Sequence, residues 1–261
     1  MYLRQLLRPA AFAVALLAST PNPGAAQGIE WGVKAGVNTS SVNAVPDYYD
    51  WLLCCEPGRP DARVDSAARP SITGAGFVAF PLTRRLAIQG ELLISRRRHA
   101  VDLEPYEPID ITFTRDYVEA AGLVKLEVPL ADRSGIYVMG GPVFGYRIGE
   151  DAASSDPRLV RGIPETEIYV VQLLAYAAPE LLRTAQTSLA LTGGLAVRRW
   201  LVEVRLTQGL QSVFKGRGGL RDGLVSVGGD PETVDRLLPR FAPFLESGRS
   251  RDLAVLVGMR F

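Results

Sequence analysis

The stretch Asp252-Leu-Ala-Val-Leu-Val-Gly-Met-Arg-Phe261 decides how the rest of the chain reads. Leu253, Val255, Val257, Met259 and Phe261 share one face of an extended strand, and Asp252, Ala254, Leu256, Gly258 and Arg260 share the other. A period of two means two different environments on the two sides. One face is apolar without a break, and the other is mostly small or charged. Taken alone, this strand fits a soluble sheet as well as a sheet in lipid.

The same alternation recurs upstream. It predicts strands over Trp31–Ser40, Ser71–Phe80, Leu86–Arg98, Thr112–Val128, Ile136–Ile148, Gln186–Arg198 and Trp200–Leu210, which makes eight with the last. Long polar connections at Ser41–Pro70, Ala100–Ile111, Gly149–Ala185 and Gln211–Ser250 alternate with short turns at Pro81–Arg85, Pro129–Gly135 and Arg199. Pro142, inside the fifth strand, predicts a bulge or kink there. Asp230 as cap, followed by Pro231, predicts a helix over Thr233–Leu245. Pro164–Arg183 reads as a short helix or a strand extension, with Glu165 and Glu167 favouring helix. Strands of even number, with long connections at one end and short turns at the other, are the rhythm of an outer-membrane barrel.

The charged side chains decide which face is wet. Lys34, Asn38, Gln89, Glu91, Glu119, Lys125, Glu127, Arg198, Glu203, Arg205 and Arg260 lie on the faces that also carry glycine and alanine. The opposite faces are almost wholly aliphatic or aromatic. A lipocalin-like barrel puts its apolar face inward, and a membrane barrel reverses this. Small residues mixed with acids and bases suit a narrow lumen, because buried charges must be paired. The expectation is an all-β, eight-stranded antiparallel up-and-down transmembrane β-barrel. Long extracellular loops, with short helices in them, complete it. Lys34, Glu91, Glu119, Lys125, Glu127, Glu203 and Arg205 are expected to form a lumen charge network.

Composition agrees with this class. Hydrophobic residues make up 47% of 261, and the formal net charge of +1 gives no electrostatic reason to expect nucleic acid. Residues 1–27 read as a cleaved signal peptide. Arg4 and Arg8 form the basic part, Pro9–Ala18 the apolar core, and cleavage falls after Ala26 or Gln27. Residues 28–261 then form the barrel domain, and losing Arg4 and Arg8 takes the basic count from 29 to 27 against 28 acids. No stretch after residue 27 reaches the length of a transmembrane helix, so crossing a bilayer requires a closed barrel. Cys54 and Cys55 are adjacent. A vicinal disulfide, two free thiols and a link to another chain all fit, whereas a metal site lacks further ligands.

WGVKAGVNTS (31–40), DYVEAAGLVKLEVPL (116–130), IYVMGGPVFGYRI (136–148), LALTGGLAVRR (189–199), LVEVRLTQGL (201–210) and LAVLVGMRF (253–261) together resemble the PorT-like outer-membrane β-barrel proteins. The resemblance covers nearly all of the chain after residue 27. It implies an eight-stranded barrel whose terminal aromatic, Phe261, is the assembly signal read by the barrel-assembly machinery. Some members act in protein secretion, and the family offers no catalytic motif.

Candidate chemistry is sparse. His99, the sole histidine, shares a strand face with Ser95 but lies about 13 Å along it, too far for a proton relay. Arg96, Arg97 and Arg98 at a strand end suit a lipopolysaccharide or partner contact. Gly140-Gly141 and Gly193-Gly194 lack the strand-to-helix setting of a phosphate loop and fit sheet curvature or close packing instead. The expectation is a non-enzymatic protein of the cell outer membrane with no metal and no cofactor. Its long loops carry a binding, adhesion or envelope-structural role towards lipid, lipopolysaccharide, a protein partner or a small ligand. A small porin-like channel or transporter, or a lipid A-modifying barrel enzyme, are the alternatives.

Overall fold

The computed structural model describes residues 28–42, 63–83, 85–104, 109–131, 134–154, 181–226 and 228–261. Among these, the strands are β1 Glu30–Val42, β2 Arg63–Arg69, β3 Ser71–Pro81, β4 Leu86–Glu104, β5 Ile109–Ala131, β6 Ser134–Ser154, β7 Ala185–Val197, β8 Trp200–Gly209 and β9 Ser250–Arg260. Helices α1 Arg217–Ser226 and α2 Pro231–Ser247 lie between β8 and β9. No helix among the described residues is long and apolar enough to cross a membrane.

Every neighbouring pair is antiparallel, and the ring closes where β9 pairs with both β8 and β1. β2 and β3 both pair with β4, end to end, so they form one barrel strand in two pieces. The result is the expected closed eight-stranded barrel. Arg69 pairs with Arg98 and Thr73 with Ser95, so four steps on one strand oppose three on the other. This is a one-residue bulge at Pro70, which has no N–H to give to a ladder.

Burial alternates with the period of the sequence. On β9, Leu253, Val255 and Val257 are 43–50% exposed while Leu256 between them is 1% exposed. The outward sets run through Ile72 and Phe80 of β3, Ile88 to Ile94 of β4, Val118 to Val128 of β5 and Leu189 to Val197 of β7. A continuous apolar belt with a filled interior is the solution a barrel must adopt in lipid. Trp31, Phe80, Trp200 and Phe261 are exposed at the short-turn end, as an interfacial aromatic girdle. The core is the lumen itself, where Phe77, Leu93, Leu123, Tyr137, Met139, Ala196 and Leu201 pack among the polar groups.

Several sequence boundaries need correction. Ser41–Pro70 is not all loop, because Arg63–Arg69 is strand, and β4 and β5 run through most of Ala100–Ile111. β6 continues six residues past Ile148. β4, β5 and β6 contain 19, 23 and 21 residues. A span needs about 10, so β5 has roughly 40 Å of strand to spare beyond the bilayer. Above the membrane the outward face turns polar, the alternation fades, and the pattern stops signalling a strand that continues. Pro142 makes no bulge. Ala121 pairs with Val143 and Val124 with Gly140 in one register, and the shifts fall at Asp116/Tyr117 and Pro129/Ala131 instead. At Gly141 the backbone of Gly122 leaves no room for a Cβ, so this glycine serves close strand approach. Arg198 is not in the lumen. It sits in the two-residue β7–β8 turn with φ 55°, a left-handed conformation that hairpin turns of this length favour. The signal peptide, Cys54, Cys55 and residues 155–180, with most of the expected Pro164–Arg183 element, lie outside the described residues.

The last long connection holds the helix expected from its cap. The Thr233 N–H donates to Asp230 Oδ2 at 2.8 Å, and hydrogen bonding with Thr233 holds the Asp230 carboxyl below its ordinary range. Arg221 of α1 binds Asp235 of α2 through two hydrogen bonds of 2.6 and 3.0 Å. Leu220, Leu224, Val234 and Leu238 are buried. The base of this connection is pinned by Val213 N–H to Gly248 O at 2.8 Å and Lys215 N–H to Leu181 O at 2.7 Å.

At the closing seam the Phe261 ring stacks on Trp31 at 4.6 Å, and the Phe261 N–H donates to Trp31 O at 2.8 Å. Deleting Phe261 removes both contacts, of which the ring pair alone is worth about 0.5–1.5 kcal/mol beyond its buried area. Several-fold less heat-modifiable barrel is then expected in the membrane fraction; unchanged levels would contradict an assembly role for this residue.

Candidate functional site: the lumen and its charge layers

The inward side chains meet in three layers. In the middle layer, Lys34 Nζ of β1 lies 2.6 Å from Glu91 Oε1 of β4 and 2.7 Å from Glu203 Oε1 of β8. Arg205 Nη2 lies 2.5 Å from Glu91 Oε2 and 3.7 Å from Glu203 Oε2. Gln89 Nε2 donates to Glu91 at 2.6 Å and Tyr137 Oη to Glu203 at 2.8 Å. Thr192 Oγ1 accepts from Arg205 Nε at 3.1 Å.

The layer towards the long loops joins Arg97 of β4 to Glu119 of β5 at 2.5 Å and to Asp252 of β9 at 3.1 Å. Ser95 Oγ donates to Glu119 at 3.0 Å. Arg115, buried and directly opposite Arg97 on β5, adds a second cation. The layer at the short-turn end pairs Lys125 with Glu127 at 2.6 Å and with Glu30 at 4.0 Å. Arg260 lies 3.4 Å from Glu30 and 3.8 Å from Glu127. Among the described residues each layer therefore holds two cations and two anions, and their formal charges sum to zero.

Each layer also sets a cation over an aromatic ring. Lys34 lies 4.8 Å from the centroid of Phe77, Arg97 4.5 Å from Tyr117 and Lys125 4.6 Å from Tyr137. Such a contact adds about 0.5–2 kcal/mol and fills the bore with rings. Between the middle and outer layers remains a cavity of about 30 Å³, lined by Asn38, Ser95, Arg97, Glu119, Arg205 and Asp252 among others. That is room for about two water molecules. No group of acidic, histidine or cysteine side chains suited to a metal occurs among the described residues.

The seven residues expected in the lumen network all lie there. Arg97 is a correction: expected to face lipopolysaccharide or a partner, it is 4% exposed inside the barrel. β4 continues as strand through it, so it keeps the inward parity of Glu91 and Ser95. Arg96 and Arg98 face outward. Sequence reasoning missed Arg97, Arg115 and Asp252 as the outer layer. The signal was parity inside strands already expected, Arg97 with Glu91, Arg115 with Glu119 and Asp252 with Leu256; Arg97 was instead grouped with its neighbours as a charged strand end. His99 is in β4, opposite Ala68 and Phe113, and not in a loop.

An apolar belt around a filled, ion-paired ring of eight strands defines a transmembrane β-barrel of the outer-membrane class. Residues 20–215 match the outer membrane protein beta-barrel domain, and the chain belongs to that family, whose place is the outer membrane. No curated protein matches it. Among solved structures it is similar to Ail, the attachment invasion locus protein of Yersinia pestis, crystallised alone and with the heparin analogue sucrose octasulfate. The identity there is 12% over 90% of this chain and 99% of that one, with a TM-score of 0.34. It is also similar to OprG of Pseudomonas aeruginosa, at 9% identity over 90% and 96% of the two chains and a TM-score of 0.41. Neisserial surface protein A follows at 7% identity, 90% and 97% coverage and a TM-score of 0.38.

Removing one member of a buried ion network strands its partners. Lys34→Met leaves Glu91 and Glu203 sharing Arg205 alone, and a loss of about 3–5 kcal/mol is expected. Urea unfolding from lipid vesicles measures it. The double variant Lys34→Met/Glu203→Gln should recover part of that loss, and a purely additive result would deny the coupling.

Proposed function

We propose that this protein is a non-conducting outer-membrane barrel whose work is done at its outer face, as a binding, adhesion or envelope-structural protein. The observation that carries this reading is the lumen. Among the described residues, three neutral layers of charge and the rings beside them fill the bore, and the cavity between the middle and outer layers holds about 30 Å³. An eight-stranded bore is narrow enough for side chains to fill, and opening one here would unpair buried ions.

The outer face offers more. β4, β5 and β6 outrun the bilayer, and the paired helices α1 and α2 stand on a hydrogen-bonded base. A protein partner or a small ligand would meet these elements first. A PorT-like assignment within the family is the finer reading, supported by the strand motifs of the chain. Enzymatic action on lipid A is disfavoured, because Ser95 points into the lumen and spends its hydroxyl on Glu119.

Planar-bilayer recording tests the reading. Folded protein, verified by heat-modifiable migration, should leave the bilayer silent. A reproducible unitary conductance that changes on Lys34→Met would establish the channel alternative instead.

A further inference from the structure

The bulge at Pro70 has an effect on side-chain direction. Thr73 and Ser71 point inward on β3 and Ile72 outward. An unbroken strand would carry Arg69 inward, towards the lumen that already holds Arg97 and Arg115. The extra residue reverses the parity. Arg69 instead stands directly opposite Arg98 of β4, and both are exposed.

The outward surface here is ordered by depth. Ile72 and Ile94 are the last aliphatic residues of the lipid-facing rows on β3 and β4, 66% and 53% exposed. Arg96 follows and is neutralised by Asp116 of β5 through two hydrogen bonds of 2.8 and 3.0 Å. Arg98 and Arg69 come next, with Thr114 of β5 on the other side of Arg98. Arg98 lies about 13 Å along the strand from Ile94, at headgroup depth. Like charges directly opposite each other weaken an antiparallel pair. Arg251 of β9 is placed differently. It stands in register between Ser41 and Gln208 and binds Gln208 Oε1 at 2.7 Å.

From this juxtaposition we infer that Arg69 and Arg98 form a clamp for a phosphate group of an outer-leaflet lipid. A phosphate between them turns mutual repulsion into two charge-assisted contacts, and the planar guanidinium fork suits its oxygens. Each guanidinium carries five donors, so contacts within the chain leave others for the lipid. The position just above the aliphatic belt favours a lipid headgroup over a soluble anion, because the acyl chains can lie along Ile72 and Ile94. Of the arginines first assigned to such a contact, Arg97 is buried and Arg96 already neutralised, so Arg98 acts with Arg69. The inference goes beyond the proposed function and holds whether or not the lumen conducts.

The test uses the full-length barrel folded in zwitterionic detergent, with diphosphorylated lipid A as probe and native mass spectrometry as readout. Wild type should retain the lipid, and retention should fall as salt rises from about 0.05 to about 0.5 M. Arg69→Gln/Arg98→Gln should weaken retention by about thirty-fold, the loss of two cations near a charged surface. Arg251→Gln should leave it unchanged. Equal retention by the double variant and the wild type overturns the clamp. So does displacement of the lipid by inorganic phosphate at equal concentration, which marks a free-anion site. Where the double variant does not fold, the wild type decides: equal retention of dephosphorylated lipid A, or retention indifferent to salt, overturns the proposal.

Discussion

The ammonium group of Lys34 lies 2.6 Å from Glu91 and 2.7 Å from Glu203, and none of the three side chains is more than 1% exposed. Three buried charges are tolerable only together, since desolvation of any one alone costs several kcal/mol. They come from β1, β4 and β8, with Lys34 57 positions from Glu91 and 169 from Glu203. No part of the sheet can satisfy them until the ring is closed. Ion pairing and closure are thus one cooperative event, and a one-residue register slip in β1 would turn Lys34 into lipid.

The outer surface imposes the complementary condition. Lipid offers no partner to a backbone N–H or carbonyl, so every spanning strand needs a neighbour on each side. The β1–β9 seam meets that need without a break from Gly32↔Arg260 to Val42↔Ser250. Gly36 sits where a Cβ would collide with the backbone of Val255. The narrow bore therefore needs small residues beside its charges, as the mixture of glycine and acid or base on one strand face implies.

That mixture made the spanning part of the fold legible. Each lipid-facing row is uniformly apolar, so period two survives in β1, β7, β8 and β9, and the inward faces of Lys34, Glu91, Glu203 and Arg205 followed from parity. Legibility failed where the environment ceased to be two-sided. Beyond Ile94 the outward residues are Arg96 and Arg98, with Asp116 and Thr114 opposite, so both faces of β4 and β5 are polar. The strand ends were lost there, and Arg97, although inside the expected strand, read with Arg96 and Arg98 as one charged end rather than by its parity with Glu91. Pro142 misled for a different reason: its missing N–H falls where β6 and β5 leave a gap in their pairing without losing register. Pro70, which does bulge, read only as loop punctuation.

The near-zero total charge conceals how differently charge is arranged inside and out. Among the described residues inside the barrel, the four charges of each layer cancel, and the pairing partners are fixed by strand register rather than by side-chain choice. On the outward rim the same register does the opposite, placing Arg69 directly beside Arg98. A bulge costs a ladder contact and here sets two cations side by side, so on strand pairing alone it is a loss twice over. An anion that meets both cations at once gains from each of them, and that gain grows with the very closeness that makes the pair repel. In the proposed clamp that anion is a lipid headgroup phosphate, so the arrangement that weakens the ladder is the one the clamp uses.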